Sequence, residues 1–459
     1  MPDTPQLHPA SYRDPSGFVF EHQGTLYRQV NLVFRDDFEK FTRSGLAAHL
    51  VQEGLLVPHE ELSENLAGRP DWLTTLKPER IGFISYPFEW SFDMLKDAAL
   101  LTLRLAKEAM KFGLMLKDAT PYNVQLHRGK MVFIDTLSFE RYDETRPWVA
   151  YRQFCESFLA PLALMHYLQT PLQPLLLAYP EGLPLPLVRK MLPFKSRFHL
   201  HVSLHLRLQA AYVSAAAPKE TKTTAAFSAR KLEHILTSLE QAVQSFALQQ
   251  PSGVWSGYYE EALQRGNYVT HKKKVIEEWL EHLPGLATAI DVGANEGTFS
   301  ELAAARRIHT VAADGDHFSV NNLYRKIKKE GNAFLHPLVI DFVHPSPAIG
   351  VNNRERASLL ERSPFDLVLA LAVIHHLAIG KHLSFEQIAE LFGRLGNTVI
   401  VEFVPPQDEK TQQLLQQKTI AFPWYTQEQF EAVFARYFNL VKTAPLPGTT
   451  RVLYLLKKK

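Results

Sequence analysis

The sequence contains a single cysteine, almost no net charge and no long apolar run. Because Cys155 stands alone, an intramolecular disulfide and a cysteine-based zinc site are excluded. A formal net charge of +2 over 459 residues gives no general electrostatic reason to bind nucleic acid. No apolar run is long enough to span a bilayer, and the first five residues carry no basic and apolar signal. We therefore expect a cytoplasmic protein.

Length and composition predict a folded chain of more than one domain. At 459 residues the chain is too long for one compact core, and it is 46% hydrophobic and 21% charged. Residues 214–226 are small and polar without hydrophobic periodicity, which is typical of a linker. We predict a first domain over residues 1–213, a linker over 214–229 and a second domain over 230–459.

A glycine-containing turn stands out in the second domain. Within residues 289–300, an apolar run ends at Asp291 and is followed by Gly293 and Gly297. This pattern predicts a strand, a turn and the start of a helix. Glycine has no Cβ, so Gly293 can take a positive φ, and Gly297 can let a ligand or the sheet approach the helix start closely. The turn is suited to holding a ligand.

Further apolar runs follow this turn and alternate with helical segments. One ends at Asp314 and Asp316, where an acid would meet the ribose hydroxyls of a bound nucleoside. The later predicted strands cover residues 338–341, 365–372 and 397–403. Strands that alternate with helices predict an α/β domain with a parallel, doubly wound sheet that binds its ligand at the carboxyl ends of the strands.

These motifs resemble the Rossmann-like class I S-adenosylmethionine-dependent methyltransferases, whose first motif is an acid, a spaced-glycine turn and a helix. Asn295 departs from the family, because many members have a glycine there. The resemblance implies S-adenosylmethionine as cofactor, with the binding residues Asp291, Gly293, Ala294, Asn295, Gly297, Asp314, Asp316, Asp341 and Ala370. The alternatives are a Rossmann dehydrogenase, whose three-glycine fingerprint is missing, and a purely structural turn.

A methyl acceptor that is a hydroxyl or an amine also needs a base. His375 and His376 follow the fourth predicted strand, and an imidazole can take a proton near neutral pH. Glu402, at the end of the fifth strand, is the alternative base. One histidine of the pair is expected to cap the helix or to pack under the loop. Ahead of the first strand, the aromatic side chains of residues 255–259 and Tyr268 are expected either to cover the cofactor or the acceptor or to pack ordinarily. The basic residues 271–274, which include Lys272, are expected either to attract an anion or to form a solvated helix start.

A second motif lies in the first domain and resembles the catalytic loop of protein-kinase-like folds. Asp118 is followed five residues later by Asn123, and Asp135 closes the next predicted hairpin. The resemblance implies an α+β kinase-like domain in which Asp118 orients an acceptor hydroxyl while Asn123 and Asp135 hold Mg²⁺. The structural alternative is that all three side chains cap turns.

The motif departs from an active kinase at several places. Thr136 and Leu137 replace the phenylalanine and glycine that follow the metal-binding acid, and no glycine-rich phosphate loop precedes Arg28, which stands where the family has a lysine. We therefore predict a degenerate kinase-like module that presents substrate or a partner. An ATP- and Mg²⁺-dependent phosphotransferase and a non-catalytic two-domain binding protein are the alternatives. Arg28 and Glu39 are expected either to pair or to be solvated separately.

The order of motifs along nearly the whole chain resembles a bacterial methyltransferase family in which some members carry a nodulation-protein label. That label describes a phenotype and names no reaction. The irregular segment 345–356 is a candidate acceptor loop. We expect a small-molecule or glycan acceptor, no nucleic acid, and leave open a protein partner of the first domain.

Three histidines near the end of the first domain raise the question of a metal. His201 and His205 lie four residues apart on a predicted helix, and His199 is close by. No cysteine or acid completes a ligand set, so we expect one face of an amphipathic helix instead of a zinc site.

Overall fold

The computed structural model describes residues 4–214, 228–251 and 267–459. The chain forms two compact units. The first comprises Met1–Gln249 together with Ile349–Arg356, and the second comprises Gln250–Ala348 and Ala357–Lys459. A short segment from within the sequence of the second unit therefore belongs to the first.

The main sheet of the first unit has five antiparallel strands in the order β1-β2-β3-β5-β4. They are β1 Gln6–Leu7, β2 Gly17–His22, β3 Thr25–Asn31, β4 His59–Leu62 and β5 Trp72–Pro78. The strands β2 and β3 form a hairpin, and Gly24 lies in its turn with a φ of +76°.

Two smaller antiparallel sheets carry the kinase-like motif. They pair β6 (Leu114–Leu116) with β9 (Phe139–Arg141), and β7 (Val124–His127) with β8 (Lys130–Phe133). The predicted hairpin is confirmed in β7 and β8. Because a hairpin reverses the chain, it brings the residues that flank it, Asn123 and Asp135, to the same end.

The remaining regular structure in the described part of the first unit is helical. Its α-helices are α1 Arg35–Arg43, α2 Leu46–Gln52, α3 Phe92–Lys111, α4 Tyr151–Phe154, α5 Ala160–Leu168, α6 Leu175–Ala178, α7 Leu185–Met191, α8 Leu200–Val202, α9 Gln209–Ser214 and α10 Ala229–Ser245. The helices α1 and α2 follow each other directly in the sequence. Gly45, in the left-handed conformation with a φ of +88°, separates them.

The helix α10 belongs to the first unit, although the predicted boundary placed it in the second domain. It packs against α3, and its Ser238 hydroxyl lies 2.7 Å from His201 Nδ1 and 2.8 Å from His205 Nε2. His199 Nε2 lies 3.2 Å from the hydroxyl of Ser245. These histidines therefore bond to serines of α10. Residues 215–227 of the predicted linker lie outside the described residues.

The second unit contains a seven-stranded mixed sheet in the order β12-β11-β10-β13-β14-β16-β15. The strands are β10 Thr288–Val292, β11 His309–Asp314, β12 Leu335–Val339, β13 Phe365–Ala370, β14 Gly396–Phe403, β15 Phe438–Pro445 and β16 Val452–Lys458. The first five are parallel, which confirms the predicted α/β sheet. The antiparallel β15 and β16 at its edge were not predicted.

The helices of the second unit are α11 Asn267–Glu281, α12 Ser300–Ala305, α13 His317–Glu330, α14 Phe385–Leu395, α15 Glu409–Gln416 and α16 Gln427–Tyr437. Side chains of α11, including Trp279, form one buried cluster with Leu367, Leu369 and Ile400 of the sheet. The central strands are buried on both faces, so they appear in the sequence as continuous apolar runs. In the part of the chain that the structure describes, no helix is both long and apolar enough to cross a bilayer.

Candidate functional site

The carboxyl ends of the parallel strands bring together most of the predicted cofactor residues of the second unit. At the end of β10, the Asp291 carboxylate is buried and its Oδ2 accepts a hydrogen bond of 2.6 Å from Ser300 Oγ. Burial raises the pKa of Asp291 to about 6, although the bond from Ser300 opposes the shift. Asp291 thereby ties the end of β10 to the start of α12.

Both predicted glycines have the positive φ that the turn requires. Gly293 has a φ of +75°, and a Cβ there would lie 3.2 Å from Val373 Cγ2. Gly297 has a φ of +80°, and a Cβ there would lie 2.8 Å from Leu323 Cδ1 of α13. The close approach at Gly297 is therefore to a packed leucine. Asn295 takes a left-handed φ of 50°, a conformation that asparagine tolerates better than most residues and that explains its replacement of glycine.

The two predicted ribose acids have different roles. Asp314 Oδ2 accepts from the backbone amide of Asn295, and its Oδ1 accepts from that of Asp316, both at 2.8 Å. Burial raises the pKa of Asp314, and these backbone bonds oppose the rise. Asp316 instead caps α13, because its carboxylate accepts from the backbone amides of Phe318 and Ser319. Only Asp314 remains beside the glycine turn.

Asp341 lies in the turn after β12, and Ala370 is at the end of β13. The strand β12 ends at Val339, so Asp341 lies in the following turn, where its Oδ1 accepts from the Val343 amide at 2.9 Å. Ala370 is the last residue of β13 and is fully buried. Two residues later, Ala372 has a left-handed φ of 54°, which is strained for an alanine. Such strain clusters at ligand-binding sites.

The two histidines after β13 differ in exposure. His375 is 1% exposed, and its Nδ1 is buried with no hydrogen-bond partner among the described residues. His376 is partly exposed, and the two rings lie 4.2 Å apart between centroids. Burial lowers the pKa of both histidines, and the charges of Arg451 and Lys410 lower that of His376 further. Both imidazoles are neutral at neutral pH.

Glu402 lies within a buried network of charges. Its Oε1 accepts from the Tyr268 hydroxyl and lies 3.4 Å from Arg451 Nη1, while its Oε2 pairs with Lys272 Nζ. Burial alone would raise the pKa of Glu402, but the charges of Lys272 and Arg451 lower it below its usual value. Arg451 also pairs with both carboxylate oxygens of Asp408, at 2.7 and 2.9 Å. Both oxygens of Glu402 are therefore engaged by basic or hydroxyl groups.

Sequence reasoning did not identify this network. Tyr268 and Lys272 lie four residues apart on α11, which places them on one face of the helix and is the only local signal. Arg451 and Asp408 are 43 residues apart, and no local pattern indicates that they meet.

The first unit brings the kinase-like residues Asp118, Asn123 and Asp135 into one cleft. Asp135 Oδ1 pairs with Arg28, its Oδ2 accepts from Ser138 Oγ at 2.5 Å, and Asn123 Nδ2 lies 3.5 Å away. Burial alone would raise the pKa of Asp135, but the Arg28 charge and the hydrogen bonds lower it. The carboxylate predicted to hold Mg²⁺ therefore has an arginine as its counter-ion.

Of the two alternatives for Arg28 and Glu39, the mutual ion pair is not formed, and neither side chain is solvated separately, because each has another partner. Arg28 is directed to Asp135, whereas Glu39 pairs with Arg43 of its own helix at 3.1 Å and lies 3.9 Å from Arg35. Both partners of Glu39 lie four residues away from it on α1. Side chains at this spacing are neighbours on the helix surface, so these pairs form within the helix itself.

Comparisons with known proteins give one full-length relative and partial structural likenesses. No protein-family model matches the chain. The N-methyltransferase NodS from Bradyrhizobium japonicum WM9 is 10% identical, covering 42% of this chain and 97% of that chain with a TM-score of 0.32. The bifunctional kinase-methyltransferase WbdD is 18% identical, covering 42% of this chain and 39% of that chain with a TM-score of 0.29.

The sequence relative extends over both units. Nodulation protein NoeA from Rhizobium meliloti (strain 1021) is 30% identical over 463 residues, which cover 98% of this chain and 95% of that protein. The predicted resemblance to a family with nodulation-labelled members is confirmed, and the chain belongs to the family of nodulation protein NoeA.

Proposed function

We propose that the second unit transfers the methyl group of S-adenosylmethionine to a hydroxyl or an amine of a small molecule or a glycan. The observation that carries this proposal is the position of Asp314. Its carboxylate stands at the end of β11 beside the glycine turn and is fixed there by two backbone amides. An acid at this place in a doubly wound sheet is suited to the ribose hydroxyls of a nucleoside.

The other residues at this edge fit the same cofactor. The turn from Gly293 to Asn295 offers backbone close to Asp314, and Asp341 and Ala370 follow or end the adjoining strands. The left-handed conformations of Asn295 and Ala372 are the kind of local strain that a binding site retains. Together these residues would hold the nucleoside and the amino-acid parts of the cofactor.

When bound, the cofactor supplies a methyl group that is already activated, so the protein has to position the acceptor, exclude water and take up a proton. His376 is suited to the last task, because it is partly exposed and its lowered pKa keeps the imidazole neutral. His375 is too deeply buried to meet an acceptor directly. Glu402 is paired with Lys272 and Arg451, so its carboxylate is less suited to the role of the base.

For the first unit we propose a kinase-like module that presents substrate or a partner without transferring phosphate. Phosphoryl transfer depends chiefly on positioned metal ions and cations around the phosphates. The pairing of Arg28 with Asp135 occupies the acid that would coordinate the metal. This pair is the feature that favours a presenting role over phosphotransferase activity.

Calorimetric titration of S-adenosylmethionine into the full chain tests the methyltransferase proposal. We compare the wild type with Asp314→Asn and with the matched control Asp316→Asn, which lies two residues away. Loss of the Asp314 acceptor is expected to weaken binding by about 1–3 kcal/mol, because hydroxyl donors lose a charged partner. Asp316→Asn is expected to retain affinity, since Asp316 caps α13.

Two results would contradict this assignment. If the folded wild-type chain does not bind S-adenosylmethionine, this molecule is not its cofactor. Equal affinities of Asp314→Asn and the wild type would remove Asp314 from the ribose site while leaving cofactor binding itself intact.

A further inference from the structure

The first unit contains a cleft of about 570 Å³ around the kinase-like residues. This volume lies within the range of about 300–1,000 Å³ that is typical of small-molecule sites. Asp118 and Asn123 lie on its wall, together with Tyr12 and Tyr122. The proposed methyltransferase reaction uses none of these side chains.

One wall of the cleft is the segment Ile349–Arg356, which belongs to the first unit although it lies between β12 and β13 in the sequence. Its Glu355 is 6% exposed and accepts from the Tyr12 hydroxyl at 3.1 Å. The guanidinium of Arg356 lies 3.7 Å from the centroid of the Tyr122 ring and pairs with Glu355 at 2.8 Å. These contacts hold the segment Ile349–Arg356 in place as one wall of the cleft.

The charges that line the cleft disfavour an anionic ligand. They comprise five carboxylates and three guanidinium groups, a formal balance of −2: Asp14, Asp118, Asp135, Glu181, Glu355, Arg13, Arg28 and Arg356. Each guanidinium is already paired with a lining carboxylate. A phosphate group would therefore meet net negative charge, and no lining arginine is free to receive it among the described residues.

Asp118 is the lining carboxylate best placed to receive a ligand. It forms no ion pair in the described part of the chain, and its side-chain hydrogen-bond partner is Gln153, which itself accepts from the backbone amide of Ala119 at 2.6 Å. A carboxylate beside amide side chains accepts hydroxyl donors well. Half-exposed Tyr12 adds an apolar ring at the same cleft.

We propose that this cleft binds a neutral, hydroxyl-rich ligand of the saccharide class, with Asp118 accepting a ligand hydroxyl and Ile349–Arg356 forming one wall. The proposal rests on the presenting role proposed for the first unit, names the class of its ligand, and does not depend on methyl transfer. Hydroxyl groups match the carboxylate and amide lining, and a neutral ligand avoids the repulsion that a nucleotide would meet there.

The test is saturation-transfer NMR on the full chain without S-adenosylmethionine. The probes are four neutral sugars, namely glucose, galactose, mannose and N-acetylglucosamine, with glucose 6-phosphate and Mg-ATP as competitors. The variants are Asp118→Ala and the isosteric Asp118→Asn, and Glu53→Gln is the control because Glu53 is an exposed acid that does not line the cleft. Binding of S-adenosylmethionine to each variant is measured separately.

At least one neutral sugar is expected to give a saturable signal that weakens about tenfold or more in both Asp118 variants and is unchanged in Glu53→Gln. The two phosphorylated probes are expected not to displace it. The proposal is overturned if no neutral sugar saturates, if the Asp118 variants bind as the wild type does, or if Mg-ATP displaces the sugar. Loss of cofactor binding in the wild type would instead count against the methyltransferase proposal alone.

Discussion

Arg28 of β3 pairs with Asp135, which lies just beyond β8, across 107 residues of sequence. Both side chains are largely buried, with 17% and 15% of their surfaces exposed. A buried pair of this kind contributes little net stability compared with apolar packing, but removing one partner leaves an uncompensated charge. The pair therefore joins the main sheet of the first unit to the kinase-like motif.

We expect Arg28→Met to destabilise the first unit by about 3–5 kcal/mol, because the charge of Asp135 remains buried without its partner. The double variant Arg28→Met with Asp135→Asn is expected to recover most of this loss. Hydrogen exchange of the β8 amides in the full chain measures the difference. Equal losses in the single and double variants would mean that Arg28 acts through packing alone.

Alanine substitutions at the two glycines of the turn, Gly293 and Gly297, are expected to have different effects. Gly293→Ala places a side chain in the turn that is proposed to bind the cofactor, so we expect weaker binding of S-adenosylmethionine. Gly297→Ala introduces a Cβ 2.8 Å from Leu323, so we expect about 1–3 kcal/mol of overpacking with affinity retained. In a Leu323→Ala background the contact is absent, so adding Gly297→Ala is expected to cost only about 1 kcal/mol of backbone strain relative to Leu323→Ala alone.

Calorimetry and hydrogen exchange of the α13 amides distinguish these outcomes. If a fully folded Gly297→Ala variant loses affinity, Gly297 lies close to the ligand in addition to its contact with Leu323.

The parallel strands of the second unit were predictable because burial on both faces makes each of them a short apolar run. The fourth and fifth runs agree closely with β13 and β14. The third run was placed too late, since β12 begins at Leu335 and contains Pro337, which weakens the strand signal. The strand β15 is exposed along most of its length and has no alternating pattern.

Contacts between distant residues were not predictable from local patterns. The pairing of Arg28 with Asp135 and the burial of Glu402 among basic groups depend on which charges the fold brings together. The same holds for α10, whose amphipathic face fits either unit until its packing against α3 is known. The meeting of the strand ends at the edge proposed to bind the cofactor was predictable, because fold topology places these ends together irrespective of side-chain detail.

The neutral state of His376 leads to a test that needs no methyl acceptor. Titration of the histidine ring carbons by NMR is expected to give a pKa below the usual 6.5 for His376, because of burial and the charges of Arg451 and Lys410. Lys410→Gln is expected to raise that pKa. A value at or above 6.5 in the wild type would contradict the buried, neutral imidazole.

The same residue predicts a kinetic signature for any acceptor that is turned over. The acid limb of the pH–rate profile is expected below pH 6.5, and His376→Asn is expected to slow methyl transfer by about 10²–10⁴-fold. Affinity for S-adenosylmethionine is expected to stay unchanged. If the pH–rate profile is unaltered by His376→Asn, a group other than His376 takes up the proton of the acceptor.

The last prediction concerns Asp291, whose pKa in the folded protein is raised from 3.8 to about 6 by burial. The folded state then binds the proton more tightly than the unfolded state does. The contribution of Asp291 to stability is therefore largest below about pH 4 and is lost as the pH rises through about 6. The full change is about 3 kcal/mol, at about 1.4 kcal/mol for each pKa unit.

Asp291→Asn removes this titration while retaining an acceptor for the Ser300 hydroxyl. Relative to the wild type, the variant is therefore expected to gain about 3 kcal/mol between pH 4 and pH 7, as measured by hydrogen exchange of the β10 amides. Asp366→Asn is the matched control. Burial would raise the pKa of Asp366, but bonds from Ala287 and Thr288 lower it, so its difference from the wild type is expected to stay nearly constant over this range. A constant difference for Asp291→Asn as well would mean that the Asp291 carboxyl is ionised throughout, with its negative charge compensated in the folded state.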